Sequence, residues 1–394
     1  MEQGQRVSQQ PLFNAGVGGR EGAKGKPPNR HKLTVIPLTG PTLWENGSAS
    51  RRFALAPPLV LDIRPEHRLS SEALKLVPGF EYKPLPLPLS IHHTDYGAQV
   101  REYEAGYTFF HVDIFSNQQA AKGLTTPHVV SISGGLGSAL AAERAIQKFG
   151  RENVLLWFAD TRQENPDLYR FLHDLMARWK GTLYYFTEGR TPRQVWDDKK
   201  LIPNDLLAPC SYELKVKHFR DFILSMAGLP EVYIGYKPGE DKRMCDTVAS
   251  YSEAIPQATV SYPLLWEPVE IRDLYTACEQ GLGIDPPVLY KLGFGYNNCN
   301  ADCCRAGITE RVREAIMLPE QFAVSESWEA ERRRQGDSRQ HFTFLKGGSG
   351  ERKQIIPLSE VRARRVPEAE KLFAREEARR AGRQQRLKER YGAS

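Results

Sequence analysis

The stretch HVVSISGGLGSALAAERAIQKFG, residues 128–150, decides the fold of this 394-residue chain. Its mostly apolar start predicts a buried strand, and apolar residues recur at helical spacing after residue 138 until Gly150 ends the pattern. A glycine-rich turn joins the two, so the stretch predicts a strand, a turn and a helix. The residues of the turn are Ser133, Gly134, Gly135, Leu136, Gly137 and Ser138.

Alternating strand and helix patterns continue toward the C-terminus. Asn165 and Pro166 are typical of the N-cap and first turn of a helix that reaches Lys180, with Gly181 as its C′ residue. Parallel strands need crossover helices, so this alternation predicts an α/β fold with a doubly wound, mostly parallel sheet. Further strands are predicted at 154–158, 183–186 and 231–236, and further helices from 192 and over 211–226.

Composition changes divide the chain into five segments. After Asp246 the sequence predicts helices and loops, including helices at 269–280 and from Ile308. The segments are a disordered basic leader at 1–32, a strand and loop extension of unknown role at 33–126, the α/β domain at 127–250, a helical segment containing cysteines at 251–330, and a basic helical tail at 331–394.

Overall composition is that of a globular protein. Apolar residues make up 40% and charged residues 26%, which excludes collagen-like, coiled-coil and wholly disordered chains. No apolar run approaches the roughly 18 residues of a membrane span. The N-terminus lacks the apolar stretch of a secretory signal, so we expect a cytoplasmic protein.

Positive charge lies at the two ends of the chain. Residues 331–394 hold eighteen basic and nine acidic side chains, a net charge of +9, and residues 1–32 have a net charge of +4. The net charge of the whole chain is only +6. This distribution is typical of tails that contact nucleic acid or another polyanion. For each tail taken alone, a solvated segment is an equally good interpretation.

The glycine turn indicates an anion site. Adjacent glycines let the backbone approach a phosphate, and the N-terminus of the following helix offers N–H groups and a positive dipole end. The turn lacks the Gly-Lys-Ser/Thr of a Walker A loop and the spacing of dinucleotide folds. A purely structural turn remains the alternative interpretation.

The strand, SGGxxS turn and helix resemble the PP-loop of the adenine-nucleotide alpha-hydrolase-like (HUP) superfamily. Later segments resemble those of phosphoadenosine phosphosulfate (PAPS) reductase-like proteins, in a branch common in bacterial and phage genomes. The resemblance covers about residues 127–330, in the same order. The segments that carry it are FADT at 158–161, PCS at 209–211 with Leu214 and Lys215, PLLW at 263–266, PPVLYKLGF at 286–294, and the run from Tyr296 to Gly307.

This resemblance implies that ATP or a related adenine nucleotide binds with its phosphates on residues 133–138 and its adenosine near Asp160 and Thr161. Lys215 belongs to a segment that carries the resemblance, and Gly235 and Arg243 lie at the same sheet edge, where the basic side chains are candidates to bind phosphate or sulfate. A solvated loop is an equally good interpretation of the basic residues after Gly235. Taken alone, Asp160 is better interpreted as a helix-capping or turn aspartate. The ATP-pyrophosphatase form of the loop has an acidic residue at the position of Gly137. Mg²⁺-assisted cleavage between the α- and β-phosphates is therefore an open question for this chain.

Four cysteines form a second set of candidate ligands. Thiolates are what iron–sulfur clusters and structural zinc require. Related sulfur-handling enzymes hold a 4Fe–4S cluster with cysteines at comparable places, so a cluster or zinc is predicted here. The alternative is buried, inert thiols, because the usual Cys-x2-Cys spacing is absent. The four residues are Cys210, Cys299, Cys303 and Cys304.

Three functions are compatible with these features. The first is an enzyme that uses ATP to adenylylate a substrate, such as a nucleotide or nucleic acid, for sulfur or nitrogen transfer. The second is a PAPS or adenylyl sulfate reductase, although the mobile C-terminal cysteine of that family is missing because no cysteine follows Cys304. The third is a degenerate nucleotide-binding module without catalysis.

Overall fold

A computed structural model describes most of the chain after residue 127 and short pieces before it. The predicted disordered leader, apart from Lys32, and most of the predicted extension lie outside the described residues. The described residues are 32–34, 89–93, 99–104, 106, 108–112, 115–117, 127–204, 207–224, 226, 229–266, 274–335 and 356–391.

The described part of the chain contains ten strands, which are numbered here in chain order. Strands β1 and β5 pair with each other, and the remaining eight form one sheet in the order β10-β9-β6-β7-β8-β4-β3-β2. The strands are β1 (Lys32–Thr34), β2 (Ser90–His93), β3 (Gln99–Glu102), β4 (Thr108–Val112), β5 (Phe115–Asn117), β6 (His128–Ile132), β7 (Val154–Asp160), β8 (Thr182–Thr187), β9 (Glu231–Tyr233) and β10 (Thr259–Ser261).

The centre of this sheet confirms the predicted α/β architecture. Strands β6 to β10 run parallel, as crossover helices require. Strand β4 adds to β8 in parallel, and β3 and β2 continue the sheet as antiparallel strands. The segment before residue 127 therefore widens the same sheet, a role that its sequence does not predict.

Helices connect the strands and fill the C-terminal part, where a helical segment was expected. The first two, α1 and α2, each take 14 residues. The helices of seven or more residues in the described part are α1 (Leu136–Phe149), α2 (Pro166–Trp179), α3 (Pro192–Asp198), α4 (Lys217–Leu224), α5 (Asp241–Ala254), α6 (Ile308–Met317), α7 (Pro319–Arg334) and α8 (Ala369–Tyr391).

The side chains of a strand alternate between the two faces of the sheet, and helices cover both faces. On β7, Leu156 and Phe158 pack in the core that α1 and α2 cover. The intervening Leu155 and Trp157 pack in the opposite core, with Phe222 of α4 and side chains of α5. Apolar side chains lie on both faces of β7, which is typical of a strand that is buried on both sides.

Helix α2 ends at Trp179, one residue before its predicted end, and Gly181 follows the C-cap residue Lys180, which is left-handed with φ of 47°. The guanidinium of Arg151 donates to the carbonyl of Lys180 at 2.6 Å, which holds that residue in place. Strand β10 follows Asp246, where only helices and loops were predicted, since three residues carry too little pattern to distinguish a strand from a loop.

Strand β9 ends at Tyr233 and does not continue to Tyr236 as predicted. The predicted helix at 211–226 begins earlier, with a turn at Pro209–Ser211 and a π-helical turn at Tyr212–Val216 before α4. Part of the helix predicted at 269–280 lies outside the described residues. Within the basic helical tail predicted at 331–394, helix α8 extends over Ala369–Tyr391.

A third core lies among the C-terminal helices. It contains Val312 of α6 and Phe322 of α7, and Phe373 of α8 packs against it. Cys210 and Cys304 belong to the same core. None of the helices in the described ranges combines the length and the apolar character needed to cross a membrane.

Candidate functional site

One cavity of about 910 Å³ brings together most of the residues that the sequence analysis selected. It lies beside the end of β6, as expected for ligands of open α/β sheets. The predicted residues that line it are Ser133, Gly135, Leu136, Gly137, Ser138, Thr161, Cys210, Lys215, Gly235, Arg243, Cys299, Cys303 and Cys304. Gly134 and Asp160 are not among the lining residues.

The glycine loop, residues 133–138, is held by its own two serines. The Ser138 hydroxyl donates to the Gly135 carbonyl at 2.9 Å and accepts from the Ser133 amide at 3.0 Å. Gly134 has φ of 73°, and a Cβ there would lie 2.5 Å from the Leu168 side chain. The loop thus keeps a fixed shape before any ligand binds.

The start of α1 leaves backbone N–H groups available in the cavity. Gly135 is the N-cap residue and makes no side-chain cap, and the first turn holds no acidic residue. Within the described structure, the Leu136 amide has one long contact, 3.4 Å to the Tyr290 hydroxyl. Unsatisfied amides and the positive end of the helix dipole favour an anion at this position.

Two residues from outside the predicted site close the loop. The Asn297 side chain donates to the Gly134 carbonyl at 2.9 Å, and its own Oδ1 has no hydrogen-bond partner among the described residues. Burial raises the pKa of Tyr290 to about 12, opposed by the Leu136 amide, so its hydroxyl is protonated near neutral pH. Both residues lie within quoted resemblance segments, but no local pattern assigns them to the loop.

Gly137 and Gly235 pack backbone against backbone. A Cβ on Gly137 would lie 2.7 Å from the Gly235 carbonyl oxygen, and a Cβ on Gly235 would lie 2.5 Å from Gly137. Real side chains do not fit at either position unless the backbone moves. This contact explains the glycine at position 137.

Asp160 is fully engaged within the core and does not face the cavity. Its carboxylate accepts hydrogen bonds from the hydroxyls of Tyr169, at 2.7 Å, and Tyr185, and from the Arg162 amide at 2.7 Å. Burial raises the pKa of Asp160, and these hydrogen bonds oppose the rise. The Asp160 carboxylate is therefore part of the core in the described structure, and Thr161 is the member of the pair that lines the cavity.

Glu164, which is fully buried, connects the strand end to the cysteines. Its Oε1 accepts from the Thr161 hydroxyl at 2.9 Å and from the Lys215 ammonium at 3.1 Å. Its Oε2 accepts from the Cys299 amide at 2.6 Å. Burial disfavours the Lys215 ammonium, but Glu164 and the nearby thiols hold the pKa of Lys215 above its ordinary value. The π-helical turn that carries Lys215 directs it to this carboxylate.

The four predicted cysteines lie together on the cavity wall. The sulfurs of Cys210 and Cys304 are 4.0 Å apart. Hydrogen bonds from the thiols of Cys299 and Cys304 lower the pKa of Cys303 well below its usual range. The bond with Cys210 and the bond with Cys303 in turn raise the pKa of Cys304. The hydrogen bond from the Cys304 thiol also lowers the pKa of Cys210. Lower thiol pKa values favour metal binding, because the ligands bind as thiolates.

The donor chemistry of this group fits a thiolate-bound metal in part. Tetrahedral zinc with bonds of about 2.3 Å places two sulfurs roughly 3.8 Å apart, close to the Cys210–Cys304 separation. The four irons of a 4Fe–4S cluster hold their cysteines farther apart. Within the described ranges, no group of three or more His, Cys, Asp and Glu side chains is arranged to hold a metal ion.

Strained backbone places Cys299. Three successive residues, Cys299, Asn300 and Ala301, have φ between 48° and 67°, a region that residues other than glycine rarely adopt. Buried hydrogen bonds hold the strain: Asn300 accepts from Asn165 at 2.5 Å and bonds Gln321 through both its side chain and its carbonyl. Strain of this kind concentrates at functional sites.

A buried ion network fixes the other end of the cysteine loop. Arg311 donates to Asp302 and to Glu314, both at 2.5 Å, and to the Cys303 carbonyl at 2.9 Å. Arg193 also donates to Asp302, at 3.1 Å, so two guanidiniums face the two carboxylates. Burial raises the pKa of Glu314 to about 7, opposed by Arg311 and reinforced by Asp302, so this carboxyl is partly protonated near neutral pH.

Stability should therefore depend on the protonation of Glu314. The pKa is near 4.5 in the unfolded chain and about 7 in the folded one, so its contribution is present below pH 4.5 and is lost as pH rises through 7. Glu314→Gln mimics the protonated form, and the free energy of unfolding should then fall less between pH 5 and pH 7.5 than in the wild type. Urea unfolding at both pH values measures this. Exposed Glu320→Gln is the matched control, and an unchanged wild-type slope in Glu314→Gln would contradict the assignment.

Basic residues surround the mouth of the cavity. Lys237, Arg243 and Arg305 line it, whereas Lys242 does not and pairs with Asp246 at 2.7 Å on the surface. Sequence reasoning missed the contribution of α8, whose residues Glu376, Arg380, Arg383 and Gln384 complete the wall. These residues are four, three and one positions apart along the helix. That spacing places them on one face of α8, and it is the sequence signal that could have identified them.

The glycine loop, the four cysteines and the basic residues at the mouth line the same cavity, and this arrangement defines the candidate site. In a comparison with known proteins, no protein-family model matches the chain, and no curated protein matches it either.

Proposed function

We propose that this protein binds ATP or a related adenine nucleotide in the described cavity and uses it to adenylylate a substrate for sulfur or nitrogen transfer. The observation that carries the proposal is that the glycine loop and four cysteines line one cavity. A loop with available amides suits a triphosphate, and thiols suit sulfur or metal chemistry. The likeness to PP-loop proteins supports the same assignment.

In the proposed reaction, a substrate oxygen attacks the α-phosphorus of ATP and the bond to pyrophosphate breaks. A sulfur or nitrogen nucleophile then attacks the carbon that bears the adenylylated oxygen, and the bond between that carbon and the oxygen breaks to release AMP. The protein contributes position and charge: amides of residues 135–138 hold the phosphates, and Lys215 stabilises the negative charge that develops. Thr161, which lines the cavity, is the proposed contact for the nucleoside.

The test combines binding with turnover. Calorimetry with ATP and Mg²⁺ should give a one-site isotherm, and added nucleosides or oligonucleotides should cause release of AMP and pyrophosphate in equal amounts. Absence of ATP binding would overturn the proposal. Binding with no turnover on any substrate offered would favour the second candidate, a non-catalytic nucleotide-binding module, which the close contact of Gly137 with Gly235 independently favours.

Cys210, Cys299, Cys303 and Cys304 are the residues that would hold a metal, as zinc or as a 4Fe–4S cluster. Such a group supplies Lewis-acid or sulfur chemistry beside the nucleotide. The residues around them fix the loop: Glu164 holds the Cys299 amide, and Arg311 holds the Cys303 carbonyl.

The double variant Cys210→Ser/Cys303→Ser should lose the metal. Protein purified without oxygen should contain close to one zinc or four irons per chain. The double variant should contain less than about a tenth of that metal, since a hydroxyl replaces each of two thiolate ligands. Metal analysis and the visible spectrum measure this. Exposed Cys245→Ser is the matched control and should keep the full content. Wild-type protein free of zinc and iron would contradict the prediction and leave ATP binding untouched.

A further inference from the structure

One wall of the cavity comes from the basic C-terminal helix, which lies far from the glycine loop in sequence. Glu376, Arg380, Arg383 and Gln384 of α8 line the cavity. These positions fall on one helical face, since residues three or four apart are neighbours on a helix surface. The remaining arginines of α8, including Arg375 and Arg379, do not line the cavity.

Specific contacts fix α8 in this position. Arg313 of α6 donates to Glu376 at 2.8 Å, and its guanidinium lies 4.3 Å from the centre of the Phe373 ring. Farther along the helix, Arg383 donates to the carbonyl of Gly239 at 2.9 Å. The helix is therefore attached on both sides of the cavity mouth.

The side chains at the mouth have a surplus of positive charge. Lys237, Arg243, Arg380 and Arg383 form what we term the cationic wall. Glu240 pairs with Arg243 at 2.5 Å, and Glu376 pairs with Arg380 at 2.8 Å. Within the described structure, the contact recorded for Arg383 is to a carbonyl and not to a carboxylate.

The four cations lie close enough to influence one another. Burial lowers the pKa of Lys237, and the neighbouring charges of Arg383, Arg380 and Arg243 lower it further, opposed by Glu240. A bound polyanion relieves this repulsion. Clustered cations that share a cavity mouth are the pattern of a phosphate-binding surface.

We propose that the cationic wall binds the phosphodiester backbone of a nucleic-acid substrate, whose reacting group enters the cavity beside the nucleotide. This inference rests on the proposed function, and it names the class of substrate. The wall is formed by side chains outside the glycine loop, whose amides are the proposed anion site for the nucleotide. A cavity of about 910 Å³ is at the upper end of the range for a single small ligand, so it has room for a second reactant.

A polymer fits this wall better than a second small anion does. The side chains of Arg243 and Arg380 are 61% and 51% exposed, so the charge continues from the cavity onto the open surface. The segment at 331–394 that carries α8 has a net charge of +9. Extended positive surface of this kind follows a phosphate backbone.

Fluorescence anisotropy with labelled single-stranded DNA and RNA oligonucleotides tests the proposal on the full chain. Arg380→Gln/Arg383→Gln should weaken oligonucleotide binding about tenfold and reduce the slope of log K against log salt by about 1.4, because two phosphate contacts are lost. Arg375→Gln/Arg379→Gln removes the same charge from α8 away from the cavity and should change neither by much. Arg380→Lys/Arg383→Lys should retain most of the affinity, which distinguishes lost charge from an undocked helix.

The outcomes separate this inference from the proposed function. Wild-type protein that binds ATP by calorimetry but no oligonucleotide would overturn the inference and leave nucleotide binding intact. Equal losses of oligonucleotide affinity in the two double glutamine variants would also overturn the inference, since the positive charge of α8 would then act independently of the cavity. Adenosine 3′,5′-bisphosphate is the small-anion competitor. If the wall variant weakens only this compound, the wall holds a nucleotide phosphate and the nucleic-acid assignment fails.

Discussion

Replacing Arg311 by methionine is expected to lower the free energy of unfolding by about 3–5 kcal/mol. The guanidinium is fully buried and pairs with Asp302 and Glu314, and both carboxylates are themselves buried. Methionine has a similar volume but leaves Glu314 without its cation and Asp302 with Arg193 alone. Uncompensated buried charge is far more costly than the pair is favourable. The Cys303 carbonyl loses a hydrogen bond as well.

Urea unfolding at pH 7.5, followed by far-ultraviolet circular dichroism, measures this change. Arg334→Met is the control, because Arg334 is 75% exposed, pairs with Glu331 on the surface and should change stability by no more than about 0.5 kcal/mol. If Arg311→Met were as stable as the wild type, protonation or another cation would have to neutralise both carboxylates. Combination with Glu314→Gln tests this, since the two changes should not be additive.

The parts of the fold that the sequence predicts are those with a strong local pattern. The glycine loop follows a strand of apolar residues and precedes a helix with clear periodicity, and each of these elements lies within two or three residues of its predicted place. The start of α2 is equally local, since Asn165 caps the Asp167 amide at 2.9 Å and Pro166 follows it. Contacts within a few residues are enough to determine such features.

The parts that the sequence does not predict depend on contacts between distant residues. Asp160 follows a strand at the sheet edge, as many ligand-binding residues do, yet Tyr169 and Tyr185 occupy its carboxylate. Glu164 becomes the centre of the site only because the cysteine loop folds over it. The docking of α8 depends on Arg313, more than fifty residues earlier, and the sequence of α8 alone is equally typical of a solvated helix.

The same reasoning explains why Gly137 matters more than its local pattern suggests. The sequence offers two interpretations of a glycine where the ATP-pyrophosphatase form has an acidic residue: a lost catalytic group or a structural requirement. The structure adds the contact with Gly235, whose carbonyl oxygen would lie 2.7 Å from a Cβ at position 137. Because Gly137 and Gly235 pack backbone to backbone, an acidic side chain at position 137 requires a change at position 235 as well.

Gly137→Asp is therefore expected to weaken ATP binding roughly a hundredfold rather than to restore catalysis. The new Cβ separates the loop from β9 at a cost of up to about 3 kcal/mol, and the carboxylate repels the phosphates that the loop amides should hold. Gly307→Ala is the control, because Gly307 also lies at the start of a helix but a Cβ there meets nothing within 4 Å. Calorimetry measures ATP affinity, and thermal unfolding shows whether each variant is folded. Tighter binding of ATP with Mg²⁺, or faster pyrophosphate release in Gly137→Asp, would mean that Gly235 yields and that the loop lacks only its acidic residue.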